Sequence, residues 1–204
     1  MSDITIIGFP QSSWTWATKL FAHERGVDVA LDPQPPHSPP VTAISPVGKI
    51  PVMRHGDKTL AESVAICAYL DAQGQGDSLM PVSDADRQWV SILQTTVDQV
   101  LIRQYLFAYL FPKTDDGQPD RDLIEGMIDD VERQFDVLLR ALDEGAIGGG
   151  TWNVVDAFAI PILFYASQFP EGKAALGARP ALKSYLDQMM ARPSFAATAP
   201  PPAS

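Results

Sequence analysis

The first third of the chain alternates between short apolar runs and segments with helical spacing. Residues 3–9 (DITIIGF) are rich in β-branched side chains and end at Pro10, which predicts a buried strand. From Ser12 to Gly26, apolar residues recur at helical spacing, with a serine that can cap the helix and a glycine that can end it. Residues 27–31 (VDVAL) predict a second strand. A helix crossing over between two strands favours a parallel pair.

A proline-rich segment separates this unit from a hairpin. Residues 32–40 (DPQPPHSPP) hold five prolines in nine residues, which predicts an extended loop without regular structure. The runs IPVMRH and KTLA flank His55-Gly56-Asp57 and predict an antiparallel hairpin. A helix from Ser63 to about Asp71 follows. The order β-α-β-loop-β-β-α predicts a small α/β domain.

After the Gly/Ser/Pro-rich stretch AQGQGDSLMPVS, the pattern is helical only. The tail ATAPPPAS is rich in proline and predicts a mobile end. We therefore predict an α/β domain over residues 1–76 and an all-α domain over residues 84–204. The predicted helices of the second domain cover Asp84–Phe111, Pro119–Glu144, a segment after GGGTW, and Pro180–Arg192.

Composition and charge narrow the function classes. The chain has 204 residues, 46% of them hydrophobic, which is ample for a buried core. A net charge of −10 argues against nucleic acid and anionic membranes as partners. No apolar stretch reaches the ~20 residues of a membrane span, and the start lacks the features of a secretory signal, so a cytoplasmic location is expected. The single cysteine, Cys67, excludes an internal disulfide and a cysteine-based metal site, and its apolar neighbours predict that it is buried.

Two features near residues 48–70 carry candidate chemistry. Pro51 stands where a strand begins; a trans bond is the ordinary case, since only about 5–6% of X–Pro bonds are cis. Glu62 and Ser63 stand where the next helix begins. Ser63 can simply cap the helix, but the N–H groups and the positive dipole end also suit a carboxylate. Glu62 could hold an ammonium group, so the pair would suit the zwitterionic head of an α-amino acid.

The motifs GKIPVM, ESVAICAYLD and SLMP, followed by a helical second half, resemble the cytosolic glutathione transferase superfamily. PQSSWTWATKLFAHERGV resembles the opening of its bacterial, serine-type members. The resemblance covers essentially the whole chain. It implies a thioredoxin-like N-terminal domain and an all-helical C-terminal domain. It also implies a homodimeric detoxification enzyme, without a metal, that conjugates glutathione to a small hydrophobic electrophile.

The resemblance assigns roles to residues of the glutathione site. It implies that Pro51 is cis and that Ile50 offers its backbone N–H and C=O to the cysteinyl part of glutathione. Glu62 and Ser63 would bind the γ-glutamyl head. Lys49 would meet the glycyl carboxylate, and His37 is a further candidate for the same contact, with a solvated loop histidine as its alternative.

Members of the superfamily activate the thiol with a tyrosine, serine or cysteine just after the first strand, and this chain has neither tyrosine nor cysteine there. Ser12 falls on the serine position when the helix is aligned backwards from Gly26. Ser13 is the alternative, and a capping role for both stays open.

The second substrate would lie between the domains. Phe9, Pro10 and Trp14 could form one wall of that site. Tyr105 and Tyr109 share a helix face at i, i+4 and could form another.

Two other functions remain open. Ser12-Ser13 resembles the SSC run of maleylacetoacetate isomerases, although Trp14 stands in place of their cysteine, so a glutathione-dependent isomerase or lyase is one alternative. A non-catalytic glutathione-binding protein is the other. In GGGTWNVVDAFAIP, Asn153 and Asp156 occupy the family's capping positions at the start of a buried helix, and their expected role is structural.

Overall fold

The computed structural model describes residues 3–80 and 83–201. Pro81 of the SLMP link and the last three residues of the predicted mobile tail lie outside the described residues. The chain divides into two compact units. The α/β unit comprises Met1–Met80 and Met190–Ser204, and the helical unit comprises Pro81–Met189.

The α/β unit is built on a four-stranded sheet in the order β2-β1-β3-β4. The first pair, β1 with β2, is parallel, whereas β3 pairs antiparallel with both β1 and β4. This arrangement confirms the predicted parallel pair and closing hairpin. The strands are β1 (Ile4–Ile7), β2 (Ala30–Asp32), β3 (Val52–His55) and β4 (Lys58–Ala61). The helices are α1 (Ser13–Glu24), α2 (Pro39–Thr42) and α3 (Ser63–Gln73), with α11 (Pro193–Thr198) at the C-terminal end.

The core of the α/β unit lies where α1 and α3 pack together beside the two central strands. Its side chains come from the apolar runs that predicted these elements, because a central strand with both faces covered selects a continuous apolar run. Cys67 is buried there, as predicted, and burial raises the pKa of its thiol. Other fully buried side chains in this core are Ile6, Leu20, Phe21, Met53 and Ile66.

Two predictions in this unit need correction. The proline-rich segment is not wholly irregular, because Pro39 and Pro40 open the short helix α2 after Ser38. A proline at the first turn loses no helical hydrogen bond, since that N–H would have no partner inside the helix. The second strand begins at Ala30 rather than Val27, because Val27 still closes the end of α1 by donating its N–H to Ala22.

The helical unit begins with one continuous helical stretch over Asp84–Leu110, close to the predicted bounds. Its middle is π-helical at Leu93–Val97 and Gln99–Leu106, with α4 (Asp84–Ile92) before and α5 (Phe107–Leu110) after. The predicted helix Pro119–Glu144 breaks at Met127 into α6 and α7. The remaining helices are α6 (Arg121–Gly126), α7 (Ile128–Asp143), α8 (Val154–Ala166), α9 (Pro170–Gly177) and α10 (Pro180–Met190).

Helix α8 is the most buried helix of this unit, and its start confirms the predicted capping role. The Asn153 side chain accepts the N–H of Val155 at 2.7 Å, and the Asp156 carboxylate accepts the N–H of Asn153 at 3.0 Å. Asp156 also accepts from the N–H of Gly148 and the hydroxyl of Tyr185, so the cap ties three segments together. None of the helices within the described ranges is long and apolar enough to cross a membrane.

The C-terminal end differs from the prediction in two ways. Residues from Met190 onward belong to the α/β unit, whereas we predicted a helical domain that continues to residue 204. Ala197 and Thr198 lie in α11 and Thr198 is buried, so a mobile tail starting at residue 197 is wrong for these residues. The physical reason is tertiary: α11 packs on α1, which local composition does not reveal.

Candidate functional site

The register of the sheet brings four separate chain segments to one end of the α/β unit. Ile7 is paired with Asp32 in the parallel pair and with Val52 in the antiparallel pair, and Val52 is paired with Ala61. Four segments therefore meet at the same end of the sheet. They are the segments that follow β1, β2 and β4 and the segment that precedes β3. We call this end of the sheet the ligand end; it holds residues 8–15, 33–38, 48–51 and 62–63.

Helix α1 begins at the ligand end with Ser12 as its N-cap. Ser12 has extended backbone angles, and its hydroxyl oxygen accepts the N–H of Thr15 at 3.4 Å. Ser12 is half-buried, whereas Ser13 is only 3% exposed. Accepting one N–H leaves the proton of the Ser12 hydroxyl available for donation. Of the two candidate serines, the geometry favours Ser12 as the one that can reach a ligand.

Buried hydroxyls without partners accompany the first turn of α1. The hydroxyl oxygens of Ser13 and Thr15 are buried and make no hydrogen bond within the part of the chain that the structure describes. Native structures leave few such groups unsatisfied, and each one calls for a specific explanation. Both residues lie in the first turn of α1, the turn that Ser12 caps.

Gly8 sits where the end of β1 touches both α1 and the segment before β3. A Cβ at this position would lie 2.5 Å from the Thr15 hydroxyl oxygen and 3.4 Å from the Ile50 Cβ. The first of these distances is too short for ordinary contact. Only glycine therefore allows the start of α1 to lie this close to β1.

The Ile50–Pro51 peptide bond is cis, as the resemblance implied. Pro51 is buried beside the core strand, Ile50 is half-buried, and Lys49 is exposed. The N–H of Lys49 is held by the hydroxyl oxygen of Ser45 at 3.2 Å, which orders the chain just before the cis bond. These residues reach the ligand end next to Gly8.

Two predicted ligand residues have unusual backbone angles. Among the described residues, His37 (φ 62°) and Glu62 (φ 70°) are the non-glycine residues with positive φ. This region is costly for residues with a Cβ, and such residues cluster at binding and catalytic sites. Glu62 is exposed directly before α3, and Ser63, the first residue of that helix, is buried. The N–H of His37 donates to the carbonyl of Gly48 at 2.8 Å, which holds its loop beside Lys49.

The residues predicted to contact a hydrophobic substrate are distributed over both units. In the α/β unit, Phe9 is 47% exposed, and Pro10 and Trp14 are half-buried at the ligand end. In the helical unit, the ring of Tyr109 is half-buried and stacks on Phe169 with 4.2 Å between ring centroids.

Tyr105 requires a correction. Its side chain is fully buried, its hydroxyl donates to Glu171 at 3.0 Å, and the N–H of Gly172 donates to it at 2.9 Å. A fully buried ring whose hydroxyl already has two partners belongs to the core of the helical unit rather than to a substrate wall. The i, i+4 spacing correctly placed Tyr105 and Tyr109 on one face, but that face turns towards Glu171.

Sequence reasoning missed the polar cluster around Glu171, which comprises Tyr105, Tyr109, Arg121 and Glu171. Tyr109 donates to the Glu171 carboxylate at 2.6 Å, and Arg121 donates to Glu171 and to the Tyr109 hydroxyl, each at 2.7 Å. Burial raises the pKa of Glu171, but the hydrogen bonds from Tyr109 and Arg121 outweigh it and lower the pKa to about 2. Burial raises the pKa of Tyr105. No local signal could have revealed this cluster, because Glu171 lies at least 50 residues from its partners in the chain.

Comparisons with known proteins agree with the fold. Residues 11–73 match the family model described as the glutathione S-transferase N-terminal domain, and residues 121–188 match the one described as the C-terminal domain. Together these matches span more than half of the chain, and the chain belongs to the glutathione S-transferase family.

The relatives are distant in sequence, and some of them match over the full length. Glutathione S-transferase 3 of Zea mays is 24% identical, with 100% of this chain and 99% of the relative covered. The crystal structure of glutathione transferase F7 from Populus trichocarpa superposes with a TM-score of 0.80 at 22% identity, covering 96% and 97% of the two chains. A glutathione S-transferase from Methylobacillus flagellatus, solved with GSH bound, gives a TM-score of 0.77 at 23% identity, covering 97% and 100%. At these identities, the structural likeness shows the fold.

Proposed function

We propose that this protein is a glutathione transferase that binds glutathione at the ligand end and activates its thiol for conjugation to a small hydrophobic electrophile. One observation carries the proposal: the sheet register gathers Ser12, Ile50 and Glu62, three residues far apart in sequence, at one edge. Within the family, we propose the serine-type mechanism of the bacterial members that the N-terminal sequence resembles.

Binding of the tripeptide is assigned to the backbone around the cis Pro51, to the segments that contain His37 and Glu62, and to the start of α3. The Glu62 carboxylate pairs with the ammonium of the γ-glutamyl head, and the start of α3 at Ser63 receives its carboxylate, because N–H groups and the helix dipole favour an anion there. Ile50 offers its backbone to the cysteinyl part. Lys49 and His37 supply the side chains for the glycyl carboxylate. These local groups hold an anionic ligand on a chain with a net charge of −10.

Activation of the thiol is assigned to Ser12. A glutathione thiol has an unperturbed pKa of about 8.5, so only a few per cent is thiolate at neutral pH. Lowering this pKa by about two requires about 2.7 kcal/mol of preferential stabilisation of the thiolate. A hydroxyl that accepts the Thr15 N–H is a stronger donor, because hydrogen bonds in a chain polarise one another. The Ser12 proton then points to the sulfur, beside the positive end of α1.

The conjugation step follows from the stabilised thiolate. The sulfur lone pair forms a C–S bond at the electrophilic carbon, the leaving group departs with its bonding electrons, and the thiol proton has already passed to solvent. Phe9, Pro10, Trp14 and Tyr109 remain the predicted contacts for the electrophile. A homodimer, a cytoplasmic location and the lack of a metal, of nucleic acid and of membrane partners also stay predictions.

The test compares Ser12→Ala with Ser13→Ala, a matched control that removes a buried hydroxyl one residue away. Titration calorimetry with glutathione and a conjugation assay with an aryl halide are run on both variants. Ser12→Ala is expected to lower kcat by about 100-fold, the usual cost of one lost donor to a developing anion. It should change the Kd for glutathione by no more than about threefold, because an interaction that strengthens only as charge develops on the sulfur contributes little to ground-state binding. Ser13→Ala should retain most of the activity.

Three results would change the proposal. Lack of binding at millimolar glutathione would overturn it. Turnover without net consumption of glutathione would indicate an isomerase or lyase. Binding without any shift in the pH dependence of thiolate absorbance would indicate a non-catalytic glutathione-binding protein.

A further inference from the structure

The last described residues of the chain run along α1 in the opposite direction to the helix. We call residues 192–201 the C-terminal strap. Its first residue, Arg192, contacts Glu24 at the C-terminal end of α1, and Pro201 contacts Gln11 just before the N-terminal end. The strap therefore spans the whole helix whose start holds Ser12.

The strap is anchored at the far end of α1 by a carboxylate. Arg192 donates from two guanidinium nitrogens to the two oxygens of Glu24, at 2.8 and 2.6 Å, and the Ser194 hydroxyl donates to the same carboxylate. Burial raises the pKa of Glu24, but the hydrogen bonds from Arg192 and Ser194 outweigh it and lower the pKa overall. This bidentate ion pair sets the direction in which the strap leaves the end of the helix.

A second, buried anchor lies one helical turn from the proposed catalytic serine. The indole N–H of Trp16 donates to the Thr198 hydroxyl oxygen at 3.1 Å, and that hydroxyl donates to the Ser194 carbonyl at 2.7 Å. The Phe195 ring packs edge-on against Trp16 with 5.2 Å between centroids. Trp16 is fully buried and Thr198 is 5% exposed, so this polar chain is shielded from water.

The buried anchor is linked directly to Ser12 through the backbone. The N–H of Trp16 donates to the Ser12 carbonyl at 2.9 Å, which closes the first turn of α1. Beyond Thr198 the strap continues to Pro201, whose carbonyl accepts the side-chain amide of Gln11 at 3.4 Å. The first turn of α1 is thus held from both sides of Ser12, at Gln11 and at Trp16.

We propose that the C-terminal strap is a positioning element for thiol activation, with Thr198 as its principal positioning residue. By fixing Trp16 and Gln11, the strap holds the first turn of α1 in the orientation that directs the Ser12 hydroxyl to the sulfur. This inference rests on the proposed function for its catalytic readout. The strap itself makes no contact with the reacting atoms in this scheme.

The test uses Thr198→Val, which keeps the shape of the side chain and removes both hydrogen bonds, and Thr198→Ser as the conservative rescue. The control is Thr95→Val, because the exposed Thr95 hydroxyl donates to the carbonyl four residues earlier, just as Thr198 does. Three quantities are measured: the pKa of the bound glutathione thiol, kcat against KM for an aryl halide, and hydrogen exchange of the Thr15 and Trp16 amides.

Thr198→Val is expected to raise the pKa of the bound thiol by about 0.5–1 and to lower kcat about fivefold to tenfold, with KM changed less than twofold. Exchange at Thr15 and Trp16 should accelerate. Thr198→Ser should restore all three values, and Thr95→Val should leave them unchanged. If Thr198→Val lowers the melting temperature but leaves the thiol pKa and kcat at wild-type values, the strap is merely structural and the proposal is wrong.

Two further experiments test the proposal if Thr198→Val does not fold or if the wild-type protein does not bind glutathione. If Thr198→Val does not fold, deletion of residues 200–204 removes the Pro201 contact while α11 remains. A smaller rise in the thiol pKa is then expected, and an unchanged pKa overturns the proposal. If the wild-type protein does not bind glutathione, the proposed function fails. The positioning of α1 is then judged by amide exchange alone, and unchanged exchange at Thr15 and Trp16 in Thr198→Val would overturn it.

Discussion

The ligand end of the α/β unit and the Glu171 cluster of the helical unit are both rich in hydroxyl and charged groups, yet they are organised in opposite ways. In the cluster, the Glu171 carboxylate and the hydroxyls of Tyr105 and Tyr109 each have two or more hydrogen-bond partners. At the ligand end, the buried hydroxyl oxygens of Ser13 and Thr15 make no hydrogen bond within the described chain.

The backbone angles of the two regions also differ. His37 and Glu62, both at the ligand end, adopt positive φ. A fully satisfied buried network rigidifies a fold, whereas strained or unsatisfied groups persist where a ligand or a reaction gives them a use. The Tyr105 hydroxyl therefore belongs to a satisfied structural network, whereas the hydroxyls of Ser13 and Thr15 keep unused hydrogen-bonding capacity within the described chain.

The strongest disturbance of the ligand end should come from Gly8→Ala. The new Cβ would lie 2.5 Å from the Thr15 hydroxyl oxygen, so the Thr15 side chain, or the first turn of α1 that carries it, must shift. Such overpacking costs about 1–3 kcal/mol of folding stability. Displacement of the Ser12 hydroxyl, the proposed thiol activator, should lower kcat/KM by about 100-fold.

Denaturant unfolding and the aryl halide assay measure the two effects of Gly8→Ala. Gly177→Ala is the matched control, because nothing lies within 4 Å of its new Cβ. It should leave activity unchanged and stabilise helix α9 slightly. Wild-type activity in Gly8→Ala would show that the close packing of β1 and α1 does not position Ser12.

The corresponding change in the cluster is Glu171→Gln, which should affect stability without affecting glutathione. Replacing the carboxylate weakens its charge-assisted hydrogen bonds, at a cost of about 1.5–3 kcal/mol. The lower end is expected, since the side chain of Arg121 is 51% exposed and solvent screens its charge. The Kd for glutathione should remain at the wild-type value. Asp130→Asn, which removes an exposed ion pair with Arg133, should cost less than about 0.5 kcal/mol.

The pH dependence of this effect has a defined sign. The pKa of Glu171 falls from 4.5 in the unfolded chain to about 2 in the folded protein, so the folded state favours the ionised carboxylate. The stabilisation is fully present above pH 4.5 and is lost as the pH falls towards 2. The stability difference between wild type and Glu171→Gln should therefore shrink across this window in denaturant titrations. A difference that grows on acidification would contradict the assignment.

The smallest effect on stability is expected for Glu62→Gly, which should change stability and glutathione binding in opposite directions. Glycine adopts φ 70° without the strain that a side chain meets, so folding stability should rise by up to about 1 kcal/mol despite the entropy cost of glycine. Loss of the carboxylate should weaken glutathione binding about tenfold. Glu62→Gln separates the two effects, since it removes the charge and keeps the strain. If Glu62→Gly lowers the melting temperature, the strain at this position is not stored for binding.

The sequence predicted several features of the fold correctly because their signals are local. The hairpin around Gly56, the serine cap of α1 and the capping pair Asn153–Asp156 each follow from a few neighbouring residues. Helix α2 was missed because proline was interpreted only as a breaker, although it is well tolerated in a first turn. The roles of Tyr105 and of the strap were missed because each depends on partners more than 60 residues away.

The sequence by itself determined the order of the four strands, the change from an α/β pattern to a helical one, and the family, because periodicity, caps and motif spacing act over a few residues at a time. The tertiary structure alone decided which hydroxyl at the start of α1 stays accessible, that the Tyr105 ring is buried, and that the last residues return to α1. These outcomes depend on contacts between distant segments. Such contacts contribute to stability only after folding has brought the distant segments together.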